Sequence, residues 1–120
     1  MRKGIHVIIG ILAFFAFVLL LNRIHAIILS FFIVGFFAVI AGSIMPDILE
    51  PPTSSKHRRL FHSKRTLNVT VGIFGFSVAV SLLFPLSVAN KVALFGLSCF
   101  ALGYFFHLLA DSTTRRGLPA

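Results

Sequence analysis

Four long apolar runs alternate with short polar ones along the chain. They are "GIHVIIGILAFFAFVLLL" at 4–21, "AIILSFFIVGFFAVIAGSIM" at 26–45, "LNVTVGIFGFSVAVSLLF" at 67–84 and "VALFGLSCFALGYFFHLLA" at 92–110. Each is close to the roughly 20 residues that a helix needs to cross a bilayer core. Lipid offers the backbone no hydrogen bonds, so only helices or closed barrels span it, and runs of this length favour helices. The pattern therefore predicts an all-α integral membrane four-helix bundle, a single membrane domain over 1–120 with a polar loop at 46–66 between the second and third helices. Pro85 stops the third run, Asn90 is the expected N-cap of the fourth, and Gly117 and Pro119 mark the end of structure after it. The opening "MRK" before an apolar run imitates a signal peptide. No small-x-small site precedes "LNRIH", so an uncleaved first helix is expected.

Composition agrees with the pattern. The 120 residues are 58% hydrophobic and include 15 Phe, with a mean hydropathy of +1.00. A water-soluble domain of this size could not hide so much apolar surface. The single cysteine, Cys99, lies inside an apolar run. It excludes a disulfide framework within the chain and a Cys-rich zinc site.

The net charge of +8 is unevenly placed. Four spans put both termini and the 46–66 loop on one side. That side carries Arg2, Lys3, Lys56, Arg58, Arg59, Lys64, Arg65, Arg115 and Arg116; the other carries Arg23 and Lys91. The positive-inside rule then places the termini and the loop in the cytoplasm, with the chain in the inner (cytoplasmic) membrane. Five of the basic residues fall in "KHRRLFHSKR" at 56–65, together with two of the five His.

Only three residues are acidic: Asp47, Glu50 and Asp111. A charge near the membrane interior costs a few kcal/mol unless it is partnered, so each needs a reason. The topology puts all three at the cytoplasmic face, with His6, His57, His62 and His107; only His25 falls opposite. Imidazole with carboxylate is a ligand set for Zn, Mn or Fe. In "HLLAD", His107 and Asp111 are four residues apart and share a helix face. Both can reach one metal, Asp111 can orient His107, or the two can form a plain interfacial hydrogen bond. His57 and His62, five apart, fit one centre only if their segment bends, and Pro46, Pro51 and Pro52 favour an irregular loop upstream. Otherwise they are two solvated His in a basic loop. Asp47 is equally open to a capping role or a pairing with Arg58.

The ordered motifs "GSIMPD", "HRRLFHS" and "GYFFHLLADSTTRRGLP" resemble the YdjM-like (LexA-binding) family of predicted membrane-bound, metal-dependent hydrolases. The resemblance runs over the whole chain. It implies that His6 matches an early family His, Asp47 the Asp after Pro, and His57 and His62 the two loop His. Arg58 and Ser63 lie beside these, and His107, Asp111, Thr114 and Gly117 match the late motif. Phe61, Glu50 and Arg115 depart from the Thr, Asp and Pro that the family often has there. The motifs are also similar to those of zinc-dependent phospholipase C.

These readings combine into one expectation. His6, Asp47, His57, His62, His107 and Asp111 hold one or two divalent ions, Zn first, with Mn or Fe as alternatives. Glu50 or an unligated Asp takes a proton, and Ser63 is a possible nucleophile or hydrogen-bond donor. Arg58, Arg59, Lys64 and Arg65 hold phosphate. The substrate would be a membrane lipid with a phosphoester. The rival expectation is a non-enzymatic protein with a structural metal, whose loop binds anionic lipid or a cytoplasmic partner. Transport fits less well, because the second and third runs have no ionisable group at mid-membrane. Nucleic acid is not an expected partner, because a ten-residue basic run brings no recognition fold. A homodimer would cover more of the Phe-rich surface.

Overall fold

The computed structural model describes residues 3–23, 28–50 and 61–113. They form four helices: α1 (Lys3–Asn22), α2 (Leu29–Leu49), α3 (Lys64–Leu83) and α4 (Val88–Ser112). All four are long and apolar enough to cross a membrane. Successive helices run in opposite directions, so the starts of α1 and α3 meet the ends of α2 and α4 at one end of the bundle.

The helix bounds follow local chemistry. Ser63 caps α3, its Oγ accepting the Thr66 N–H at 3.2 Å. Helix α3 therefore begins at Lys64, three residues before the apolar run. Phe84 is extended (φ −108°, ψ 142°), as the residue before a proline is driven to be. Ser87, not the expected Asn90, caps α4, and its Oγ accepts the Asn90 N–H at 3.3 Å. The expected stop at residue 45 is also displaced. Helix α2 continues through Pro46 to Leu49, with the Glu50 N–H bonded to the Pro46 carbonyl at 2.9 Å. Proline gives up its own backbone bond and crowds the carbonyl four residues earlier, yet the helix continues past Pro46, and the extra turn places Asp47 on the helix instead of in a loop.

Helix α4 is the most buried and packs against all three others, while α3 packs chiefly along α4 and meets α1 through the Phe74–Phe17 ring pair. The inward stripe of α1 is His6, Gly10 and Phe14, spaced at the four-residue repeat of one helix face. A Cβ on Gly42 would run into the Phe100 carbonyl oxygen, and one on Gly103 into the Val39 carbonyl oxygen. The α2 and α4 backbones thus touch through small residues, as close membrane helix pairs do. Deeper in the bundle, Phe14, Val39, Phe95 and Cys99 form the apolar core. Ser77 and Ser98 join α3 to α4 through a 2.8 Å hydroxyl pair. Large apolar side chains such as Ile8, Leu12, Leu19, Phe37, Phe76 and Leu83 face outward. Apolar residues outside and polar residues inside is the arrangement that a lipid solvent selects.

Candidate metal centre

The polar end of the bundle gathers side chains from four segments. His6 enters from the first turn of α1, and Asp47 and Glu50 from the end of α2. His62 lies just before the α3 cap, and His107 and Asp111 lie in the last turns of α4. All six are 7% exposed or less. Two sets of ligand atoms lie close enough to hold a metal ion: His6, His107 and Asp111, and Asp47, His62 and His107. His107 belongs to both.

The distances are specific. His62 Nε2 lies 3.4 Å from Asp47 Oδ1 and 3.7 Å from Asp111 Oδ2. His107 Nε2 lies 3.6 Å from Asp47 Oδ1 and 3.3 Å from Asp111 Oδ2. Ligands about 2.0–2.1 Å from a tetrahedral ion sit about 3.3–3.4 Å from one another, so these four separations approach the edges of one coordination shell. On the other oxygen of Asp111, Oδ1 lies 3.3 Å from His6 Nε2. Asp111 therefore presents one oxygen to His6 and the other to His62 and His107, the arrangement of a bridging carboxylate.

The imidazoles are held from behind. His107 Nδ1 donates to the Ser43 carbonyl at 2.6 Å, which fixes the tautomer and leaves Nε2 as the lone-pair nitrogen aimed at the carboxylates. That Nε2 and the Nδ1 of His6 are buried and make no hydrogen bond. Buried imidazole nitrogens without a partner are costly unless something else satisfies them. Glu50 Oε2 accepts both the backbone N–H and the Nδ1–H of His62, each at 3.0 Å. This turns His62 Nε2 toward Asp47 and Asp111. Carboxylate or carbonyl behind a ligating imidazole is the usual support of a metal site. Tyr104 fixes the approach to His62, donating its hydroxyl to the Phe61 carbonyl at 3.0 Å. The rings of His6 and His107 stack at 3.8 Å between centroids. A buried set of three imidazoles and two carboxylates offers ligands that could hold a metal ion.

The expected site residues divide as follows. His6, Asp47, His62, His107 and Asp111 converge. Glu50 joins them, but behind His62, so the geometry gives it an orienting place instead of the expected proton-accepting one. Ser63 Oγ is engaged at the α3 cap, accepting from Thr66 N–H and paired with Thr66 Oγ1 at 3.0 Å. It thus stabilises the turn after His62 and is not presented as a nucleophile. Lys64 and Arg65 are exposed in the first turn of α3, adjoining the centre. His57, Arg58 and Arg59, with His25, Thr114 and Gly117, lie outside the described residues. Sequence reasoning missed the Ser43 carbonyl, which no side-chain pattern announces, and Tyr104, the only tyrosine of the chain.

No protein-family model, curated protein or solved structure matches the chain. The functional reading therefore rests on the chain's own residues.

Proposed function

We propose that this chain is a membrane-embedded, metal-dependent hydrolase acting on a phospholipid-type phosphoester at the cytoplasmic leaflet. The observation that carries the reading is the Asp111 carboxylate, whose Oδ1 faces His6 and whose Oδ2 faces His107 and His62. Shared carboxylates of this kind are typical of sites that hold two ions about 3.5–4 Å apart for phosphoester chemistry. The ordered motifs that resemble the YdjM-like family imply the same activity.

His6, Asp47, His62, His107 and Asp111 would hold the metal, Zn by preference and Mn or Fe as alternatives. When bound, the ion supplies Lewis-acid polarisation of the phosphoryl group. Glu50 and the Ser43 carbonyl keep the Nδ1 protons of His62 and His107 in place, so that the Nε2 atoms stay available. Lys64 and Arg65, with Arg58 and Arg59 of the same basic run, would bind the phosphate and offset its charge. The uneven distribution of basic residues supports the cytoplasmic placement of this end.

One observation favours a second reading. Asp111 Oδ2 lies 3.3 Å from His107 Nε2, and were it to join the Asp47, His62 and His107 set a single ion would be saturated, as in structural sites. The protein would then be a lipid- or partner-binding membrane protein with a metal clip. The discriminating experiment loads the detergent-purified protein with Zn or Mn and follows hydrolysis of phospholipid in mixed micelles. The hydrolase reading expects turnover that chelation and Asp111→Asn both abolish. Stoichiometric metal with no turnover across the phospholipid classes would favour the clip.

A further inference from the structure

An apolar groove of about 160 Å³ opens between α3 and α4, lined by Val71, Phe74, Leu102 and Phe105. Val71 is 49% exposed, so the groove is open on the outer face of the bundle, where lipid would lie. Its volume is on the order of that of an apolar cavity that accepts benzene, which is room for a short stretch of acyl chain. The basic residue above it is placed in register. Lys64 and Val71 are seven residues apart on α3, which puts them within about 20° of the same helix face and about 10 Å apart along the axis. Lys64 thus stands at the polar end and Val71 in the hydrocarbon, on one vertical line. Cations in the first turn of a helix are opposed by its dipole, so local helix stability does not account for Lys64 and Arg65.

We propose that this seam binds one anionic glycerophospholipid, its phosphate against Lys64 and one acyl chain in the Val71–Phe74–Leu102–Phe105 groove. Lys64 follows His62 by two residues, so a phosphate held against Lys64 is at the same end of the bundle as the metal centre. The inference deepens the hydrolase reading by naming the substrate class, and it rests on that reading for its catalytic meaning. Its test reads binding alone, so a failure of lipid placement and a failure of turnover are separate results.

The chain contains no Trp, so a single introduced Trp is a clean reporter. Phe105→Trp places it in the groove and Val71→Trp is a second, more exposed position; Leu12→Trp on the outward face of α1 is the control. Each variant is reconstituted into vesicles that carry brominated phosphatidylglycerol in phosphatidylcholine, or the reverse. Either groove reporter should be quenched about three- to fivefold more effectively by the brominated anionic lipid, the preference that one basic residue near the head group supplies. Lys64→Gln should remove most of that preference, and the Leu12→Trp control should show none. Equal quenching by both lipids at both groove positions would overturn the proposal. So would a preference that Lys64→Gln leaves intact, or one that the control shares.

Discussion

Glu50 and His62 are joined twice: one carboxylate oxygen takes both the backbone N–H and the ring Nδ1–H of His62, each at 3.0 Å. The pair closes the loop between α2 and α3 across twelve residues. It fixes where His62 stands and which of its nitrogens faces Asp47 and Asp111.

Removing that support should weaken metal retention without abolishing it. Glu50→Ala should lower affinity about 10- to 100-fold, the usual effect of deleting a group that orients a ligating His. Glu50→Gln keeps an oxygen that can accept from His62 and should lose much less. A competition titration with a chelator distinguishes the two. Equal loss in both variants would mean that the charge of Glu50, and not its hydrogen bonds, matters.

Tyr104→Phe tests the segment leading to His62. The change deletes the hydroxyl that donates to the Phe61 carbonyl and leaves the ring in place. It should destabilise the protein by about 0.5–1.5 kcal/mol and make the metal easier to chelate. Unfolding in mixed micelles reads the first effect, and a chelator time course reads the second.

The glycines separate into two kinds. Gly42→Ala and Gly103→Ala drive a methyl group into the carbonyl of a neighbouring helix, and backbone has little freedom to yield. Each should cost about 1–3 kcal/mol. Because these contacts lie one turn from the ligands, metal binding should weaken as well. Gly72→Ala and Gly75→Ala meet nothing within 4 Å and should be neutral or stabilising by up to about 1 kcal/mol. Thermal unfolding of the four variants in one detergent orders them.

The four spans were legible because lipid imposes one length on every apolar run. The alternation of helix direction then sufficed to bring His6, Asp47, His62, His107 and Asp111 to one end. Boundaries were less legible where polar residues continue a helix. Hydropathy falls at Pro46 and Asp47, yet the helix runs on to Leu49, and Ser63 starts α3 among charged residues. The roles of Glu50 and Ser63 could not be read from residue type. Glu50 meets His62 through a loop closure, and Ser63 is defined by a backbone N–H three residues on. The carbonyl of Ser43 behind His107 has no sequence signature, because every residue carries a carbonyl.

Within the centre, His6 and His107 should behave differently. His107 lies in both ligand sets, whereas His6 lies in one. His6→Ala leaves His62, His107, Asp47 and Asp111 in place and should keep one ion, while His107→Ala should keep none. Metal-to-protein ratios after gel filtration give the answer, and equal ratios in the two variants would contradict the shared-ligand geometry. Acidification should weaken metal binding to the wild type, because protons compete with the ion for the imidazole nitrogens.

The most direct measurement is the metal content of the detergent-purified protein by mass spectrometry, comparing wild type with His62→Ala, His107→Ala and His25→Ala. The account predicts stoichiometric metal in the wild type and in His25→Ala, a reduced ratio in His62→Ala, which leaves the His6, His107 and Asp111 set whole, and loss in His107→Ala. A wild type that takes up no metal after incubation with Zn or Mn, or a His107→Ala variant that holds as much as the wild type, would contradict it.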